Sequence, residues 1–271
     1  MTASSEPLAQ LSNLPNADGS ATFSYCGYVV TAAVNGPIEA PRRDENPFEA
    51  LIDVVVRPAA GVGGKDRPFH LNLQSLIIWP GTAERQLESI LQAALRQLIP
   101  IRNFPRCMIQ VTLQIMEAPE NAYQNTKLLQ AQSNLAIIPA LFHAAILGLL
   151  TAAVPLKTIA TATTLAIPAG SGALIIDPSP EESAQARSLH ALAFTSHDEL
   201  LLAESSGSFS IEDWDRVLET GQRVCCRDQE SGLDAAMSGD GLESQSIRAF
   251  IRSVMETKTA TDLNWKQGLD Q

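Results

Sequence analysis

Apolar and polar residues alternate along several stretches of the N-terminal part of the chain. The clearest stretch runs from Cys107 to Met116, where every second residue from Ile109 onward is a branched apolar one. Because successive side chains of a strand point to opposite faces, this pattern predicts a half-buried strand. The same alternation in Ser20–Tyr25, followed by Cys26-Gly27 and the run YVVTAAV, predicts a hairpin, and ALIDVVVRP predicts another strand.

A different spacing begins in the stretch PGTAERQLESILQAAL. Leucine, isoleucine and alanine recur every three or four residues from Leu87 to Leu98, which predicts an amphipathic helix with its apolar face on a sheet. The preceding segment, Ala59–Gly81, is rich in glycine and predicts a long loop. Loops of this length are commonly functional or specific to one family.

The segment Leu135–Leu156 is apolar on all sides. No Asp, Glu, Lys or Arg lies between Lys127 and Lys157, so a membrane span has to be considered. Pro139, His143 and the lack of flanking basic clusters argue against a span. The neighbouring amphipathic strands need a cover, which favours a helix buried within a soluble protein. We interpret His143 as a core histidine with one hydrogen bond, because a metal site needs converging partners.

The C-terminal part repeats the order of strands followed by helices. The runs TIATATTLAI, ALIID, HALAFTS and ELLLAES predict short strands, and helices are predicted over Ile211–Cys226 and Leu242–Met255. This segregation predicts an α+β fold with two strand-rich halves, each covered by two helices. The predicted boundaries are an extension at 1–17, a domain at 18–227 whose halves meet near 156, a flexible linker at 228–241, a C-terminal helix at 242–258 packing on the second half, and a tail at 259–271.

The net charge and the placement of cysteines and histidines argue against several classes of function. The net charge of −11 argues against a free-standing nucleic-acid binder, because phosphate neutralisation requires clustered Lys and Arg. The four cysteines form no CxxC pair and the four histidines are scattered, so neither a metal site nor a cofactor is predicted. The N-terminus is small and polar rather than basic and then apolar, so we expect free thiols in a reducing compartment.

Several motifs in order along the chain resemble the ribonuclease PH superfamily. They are LSNLPNADGSATFSY, VNGPIEAP, the strand ending VVVRP, NFPRCMIQVTLQI, LLTAAVPLK and LIIDPSPEESAQAR. The resemblance covers about residues 8–227, and its specificity comes from the order and spacing of the motifs together. It implies a phosphorolytic ribonuclease fold that forms dimers and then six-membered rings around a channel for single-stranded RNA.

The resemblance also indicates where an active site would lie. Active members carry an arginine pair before the first helix, where this chain has Thr82 and Ala83, and an arginine in a glycine-containing loop, where this chain has Ile138. Their metal-binding Asp falls in the segment around Leu189. Phosphorolysis brings an anionic phosphate to an anionic phosphodiester, so a site without cations cannot support it. We therefore predict no catalytic and no metal-binding residues, and we treat Thr82, Ala83, Ile138 and Leu189 as a degenerate phosphate and metal site.

Other candidate residues have ordinary structural explanations. Asp177, before Pro178, is more typical of a turn or cap than of a metal ligand. Ser183 and Ser188 lie near His190 in the sequence, but spacing alone does not define a catalytic triad.

The most basic part of the long loop and the following helix is a candidate RNA-binding patch. Its residues are Lys65, Arg67 and Arg85, although solvated surface charge is the more common explanation of such residues. The resemblance implies a non-catalytic structural subunit of the RNA exosome core ring, with paralogous subunits, cap subunits, an associated exoribonuclease and single-stranded RNA as partners, and no membrane. The alternatives are an active phosphate-dependent 3′-to-5′ exoribonuclease and an independent RNA-binding module. We expect a location in the nucleus, including the nucleolus, and in the cytoplasm.

Overall fold

The computed structural model describes residues 7–58, 82–119, 127–169, 173–226 and 246–267. Lys65, Arg67, the predicted loop at 59–81 and the predicted linker at 228–241 lie outside these ranges.

The first half forms a five-stranded sheet in the order β1-β2-β3-β5-β4. All neighbours in this sheet are antiparallel except β4 and β5, which run parallel. The alternating apolar residues predicted for β5 are buried, as the period of two requires. The elements are β1 (Leu8–Leu11), β2 (Gly19–Tyr25), β3 (Tyr28–Glu39), β4 (Leu51–Arg57), α1 (Thr82–Leu98), β5 (Cys107–Glu117) and α2 (Lys127–Thr151), with a short 3-10 turn at Ile101–Asn103.

The second half forms a four-stranded antiparallel sheet in the order β7-β6-β8-β9. The predicted strands and the helix over Ile211–Cys226 are all present. The elements are β6 (Ala160–Pro168), β7 (Ile175–Ile176), α3 (Pro180–Gln185), β8 (Ala186–Thr195), β9 (Leu200–Gly207), α4 (Ile211–Cys226) and α5 (Ile247–Gln267).

The helix α2 lies between the two sheets. It packs against β2 and β3 of the first sheet and against β6 and β8 of the second. Nearly every residue from Leu135 to Leu149 is buried, which explains why the sequence is apolar on all sides. None of the helices in the described ranges is long and apolar enough to cross a membrane.

The other helices differ in how they meet the sheets. Helix α1 packs on β4, on the same face of the first sheet as α2, and it also contacts α2 and β9, whereas α4 packs on β6 and β8. Helix α5 contacts α4 and β6, and its Phe250 also reaches Phe23 of the first sheet, with ring centroids 6.3 Å apart. The α+β class is confirmed, with α2 shared between the two halves.

Several element boundaries differ from the predicted ones. Helix α2 starts at Lys127, eight residues before the apolar segment Leu135–Leu156, and ends at Thr151, within that segment. Helix α5 continues to Gln267, where a tail was predicted from 259 onward. The start of α2, KLLQA, consists of good helix formers. The last turns of α5 contain the weaker helix formers Thr, Asp and Asn, and the i,i+4 ion pair of Lys258 with Asp262 supports the helix there.

Candidate functional site

Two of the four positions of the predicted degenerate site lie in the hydrophobic core. Ile138 on α2 and Leu189 on β8 are 1% and 0% exposed and belong to the same core cluster. Ala83 is half-buried in the first turn of α1, whose first residue is Thr82, and Arg85 on the same turn is exposed. Ile138 and Leu189 therefore present apolar surface to a space that is closed to solvent.

A polar cluster centred on Asp177 lies between the sheets. The Asp177 carboxylate accepts hydrogen bonds from the hydroxyl of Tyr25 on β2, from Thr163 Oγ1 at 3.2 Å and from Thr164 N at 3.3 Å, both on β6. Its own backbone N–H donates to Thr164 O at 2.8 Å, and its φ is 49°. Asp177 is thus not a simple turn residue, because its side chain joins the two halves of the molecule.

Burial dominates the electrostatics of this cluster. Burial raises the pKa of the Asp177 carboxyl, although the hydrogen bonds from Tyr25, Thr164 and Thr163 act in the opposite direction. Burial and the nearby carboxylate also raise the pKa of the Tyr25 hydroxyl, and they raise that of the Cys26 thiol to about 12. The tyrosine and the thiol therefore stay protonated at neutral pH, which leaves hydrogen-bond donors but no nucleophile.

His143 makes a second connection between the sheets. Its Nε2 accepts a hydrogen bond from Ala162 N of β6 at 3.0 Å, and its ring packs edge-on against Phe23 of β2 at 5.2 Å. The side chain is fully buried, and burial lowers its pKa to about 3. Its Nδ1 has no hydrogen-bond partner in the described part of the chain. The prediction of a core histidine with one hydrogen bond is confirmed.

His190 contacts two serines without forming a catalytic triad. Its Nε2 lies 3.0 Å from Ser188 Oγ and its Nδ1 lies 2.8 Å from Ser205 Oγ. Burial lowers its pKa to about 4, against the opposing effect of Asp213. Ser188 is fully buried, and Ser183, the other serine considered, instead contacts Pro178 O at 3.5 Å. Ser188 is enclosed in the core and cannot reach a substrate, so the Ser188–His190 pair provides no accessible nucleophile. Ser205 is exposed, but its contact with His190 alone does not make a triad.

Asp213 forms an ion-pair cluster that sequence reasoning missed. Its carboxylate forms ion pairs with Arg187, whose Nη2 lies at 2.5 Å, and with Arg216, whose Nη2 lies at 2.7 Å. The same carboxylate accepts a hydrogen bond from Ser210 N at 3.2 Å at the start of its own helix. Hydrogen bonds from Arg216 and Ser210 lower the pKa of this carboxyl. The spacing of Ser210 and Asp213 is a helix-start signal that could have located the cap, but the sequence gives no sign of Arg187 as a partner.

The cysteines show no sign of a reactive or metal-binding site. Burial raises the pKa of Cys225 and of Cys226 to about 12, so both thiols are protonated at neutral pH. Within the described ranges, no group of three or more His, Cys, Asp or Glu side chains is arranged to hold a metal ion.

Most of the chain, including both sheets and the helix between them, matches the two domain models of one protein family. The model of the 3′ exoribonuclease family matches with its domain 1 over residues 7–155 and with its domain 2 over residues 158–224. The chain belongs to this family of ribonuclease PH-like proteins.

Within the family, the chain is similar to proteins of the RRP46 type. It is 29% identical over 223 residues to the exosome complex component RRP46 of Saccharomyces cerevisiae, a match that covers 80% of this chain and 89% of the relative. The crystal structure of rice (Oryza sativa) Rrp46 superimposes with a TM-score of 0.62 at 24% identity, covering 79% of this chain and 86% of that one. An Archaeoglobus fulgidus exosome chain, described with RNA bound to the active site, superimposes with a TM-score of 0.60 at 14% identity, covering 80% and 84%. The expected resemblance and the expected fold are confirmed.

Proposed function

We propose that the chain is a structural subunit of the RNA exosome core ring that supports 3′-to-5′ RNA processing and degradation through assembly with paralogous subunits. The observation that carries this proposal is the similarity to RRP46, an exosome component, along 89% of the length of that relative. The fold supports it, because all nine described strands and the helix between the sheets belong to the ribonuclease PH-like domain.

We further propose that the subunit is non-catalytic. Phosphorolysis needs cations to bring two anions together and to stabilise the charge that develops in the transition state. The positions matched to the phosphate-binding arginines and the metal-binding Asp are Thr82, Ala83, Ile138 and Leu189, and the last two are buried in the core. The Asp177 carboxylate already accepts hydrogen bonds from three donors.

A phosphorolysis assay tests the absence of activity. The purified chain is incubated with single-stranded RNA, inorganic phosphate and Mg²⁺, beside an active family member as the positive control. We expect no nucleoside diphosphate above the enzyme-free background. Phosphate-dependent release of nucleoside diphosphates would support the alternative, an active exoribonuclease of this family.

A mixing experiment tests the assembly. The chain is combined with its paralogous ring subunits, and the products are separated by size-exclusion chromatography and weighed by native mass spectrometry. We expect a hetero-oligomeric ring in which the chain is stoichiometric, and we expect cap subunits and an associated exoribonuclease to join it. A chain that stays monomeric in the presence of all its paralogues would overturn the proposal.

We propose that Arg85, with Lys65 and Arg67, contacts RNA within the assembled ring. Arg85 is exposed at the start of α1, which leaves its charge available to phosphate. In the assembled complex, Arg85→Glu should weaken RNA crosslinking to this subunit, whereas Arg102→Glu, at another exposed arginine, should not. Equal effects of the two variants on RNA crosslinking would show that Arg85 acts only through the overall surface charge and makes no specific RNA contact.

The proposed role places the subunit in the nucleus, including the nucleolus, and in the cytoplasm. Imaging of the fluorescently tagged chain, together with a tagged paralogous subunit, tests this location. Exclusion from either compartment would contradict it.

A further inference from the structure

A small apolar pocket lies between β9 and the start of α4. Its volume is about 220 Å³, and its lining residues are Ser205, Phe209, Ser210, Ile211 and Trp214. A volume of this size accommodates one large apolar side chain. The pocket lies on the face of the second sheet that α4 covers, whereas Ile138 and Leu189, two of the four positions matched to the family's catalytic residues, are enclosed in the core.

The pocket is built from side chains that hold one another in place. The Phe209 ring lies 4.8 Å from the ring of His190 and 5.8 Å from that of Trp214. Below it, Ser210 and Asp213 cap α4 reciprocally, since Ser210 N donates to the Asp213 carboxylate and Asp213 N donates to Ser210 Oγ. A pocket that is already ordered loses little conformational entropy when a partner binds.

The rim of the pocket leaves apolar surface in water. Ile211 is 82% exposed, which is the largest value among the exposed large hydrophobic residues in the described ranges, and Phe209 is 41% exposed. Adjacent clustered apolar side chains of this kind are typical of an interaction site. Burying them would release water from surface that the isolated chain cannot cover.

The charge around the pocket indicates the chemistry of the occupant. Glu212 and Asp215 are exposed beside Ile211 and Trp214 on α4. Arg187 and Arg216, the cations of this region, both bind the Asp213 carboxylate. The acidic rim repels phosphate and favours Lys or Arg on a partner, in a chain whose net charge is −11.

We propose that this pocket, which we call the Phe209–Trp214 pocket, receives an aliphatic or aromatic side chain of a neighbouring ring subunit, flanked on that subunit by Lys or Arg. This inference rests on the proposed function as a ring subunit. In this contact the neighbouring subunit supplies an apolar anchor side chain with basic residues around it, and this chain supplies the pocket and its acidic rim. An anchor buried in a pocket is the usual arrangement of an interface hot spot.

The experiment compares single substitutions in the reconstituted ring. Ile211→Asp places a charge in the mouth of the pocket, and Phe48→Asp is the matched control, because Phe48 is 79% exposed in the connection between β3 and β4. Glu212→Lys tests the acidic rim. Thermal unfolding of each isolated variant confirms that it folds, and assembly with the paralogous subunits is measured by titration and native mass spectrometry.

We expect Ile211→Asp to weaken assembly by about tenfold or more, Glu212→Lys to weaken it by a smaller factor that shrinks at high salt, and Phe48→Asp to leave it unchanged. If the wild-type chain assembles and Ile211→Asp assembles equally well, the pocket proposal fails while the proposed function stands. If the wild-type chain does not assemble, the proposed function fails, and the pocket proposal with it. If Ile211→Asp leaves assembly intact and reduces only RNA crosslinking, the pocket binds RNA and the proposal is overturned.

Discussion

At the scale of single residues, buried polar side chains connect the two halves of the molecule. His143 on α2 accepts from the backbone of β6 while packing on Phe23 of β2, and Asp177 accepts from Tyr25 of β2 and from β6. Burying a polar group without a partner costs free energy, and His143 Nε2 and the Asp177 carboxylate find these partners only when the sheets are correctly placed. The halves are therefore held in register by hydrogen bonds as well as by apolar packing.

The buried imidazole of His143 makes stability depend on pH. Burial lowers its pKa in the folded state to about 3, whereas the unfolded value is about 6.5, so only the unfolded state takes up a proton between these values. Stability should therefore fall as the pH falls from about 6.5 towards 3, by up to about 1.4 kcal/mol per pH unit from this group. His190 acts in the same direction, and Asp177, with its raised pKa, acts in the opposite direction.

The variant His143→Gln tests this contribution, because a glutamine carbonyl can accept the hydrogen bond from Ala162 N without titrating. Denaturant unfolding at several pH values should give a shallower loss of stability below pH 6.5 than in the wild type. The comparison at pH 7.5, where the imidazole is neutral in both states, separates the cost of altered packing. An unchanged slope in the variant would show that His143 is not buried as a neutral group.

The hydrogen bond between Tyr25 and Asp177 is open to a double-mutant cycle. Tyr25→Phe removes the donor and leaves a buried carboxylate with one partner fewer, which should cost about 1–3 kcal/mol. Asp177→Asn retains an acceptor at lower charge. If the two side chains interact directly, the double variant should lose less stability than the sum of the single losses. Strict additivity, measured by urea unfolding, would argue that they act independently.

At the scale of elements, glycine allows α2 to approach the first sheet closely. A Cβ at Gly19 of β2 would lie 2.3 Å from Ala152 N and 2.5 Å from Gly148 O at the end of the helix, and neither backbone atom can move away. A Cβ at Gly148, on the helix itself, would meet the Val34 side chain at 3.0 Å. The same helix–sheet contact therefore tolerates one added methyl group far better than the other.

This difference gives a matched pair of variants. Gly19→Ala should destabilise the chain by about 1–3 kcal/mol or more, because it forces the helix and the strand apart. Gly148→Ala should have a much smaller effect, since the gain in helix propensity of up to about 1 kcal/mol offsets the tight contact. Thermal or denaturant unfolding measures both. Equal losses would mean that α2 does not approach β2 as closely as described.

The elements that could be predicted from sequence are those with a strong apolar period. The alternation in Cys107–Glu117 predicts a strand and the helical spacing in Thr82–Leu98 predicts a helix without any knowledge of the rest of the fold, and both elements are present. The short helix α3 was missed, although Ser179, Pro180 and Glu182 form a capping box with proline at the helix start. Six residues are too few for an apolar period to become visible.

The polar clusters could not be predicted in the same way. Tyr25 and Asp177 are 152 residues apart, and Arg187 and Asp213 are 26 apart, so only the folded chain brings each pair together. Sequence spacing did identify His143 as a core residue, because the helix around it is apolar on every face. Local patterns thus predict burial, whereas partners across the fold depend on topology.

At the scale of the whole molecule, one hydrophobic core extends through both halves. The cluster that contains Val30 of the first sheet also contains α2 and Leu189 of the second sheet. Such continuity predicts a single cooperative unfolding transition rather than separate melting of the two halves. It also means that two of the positions matched to catalytic residues of the family are part of what holds the molecule together.

The variant Leu189→Asp tests this last point, because it places the family's carboxylate where this chain has leucine. An unpaired charge at a site with no exposure should cost about 3 kcal/mol or more and should lower the unfolding temperature of the whole chain in one transition. Leu200→Asp, on the neighbouring strand and 45% exposed, is the control and should change stability by less than about 1 kcal/mol. A Leu189→Asp protein that kept the wild-type unfolding temperature and bound Mg²⁺ would mean that this position opens onto a site. The contact between α2 and β8 leaves no solvated space for a carboxylate at position 189, so this outcome would contradict the described packing.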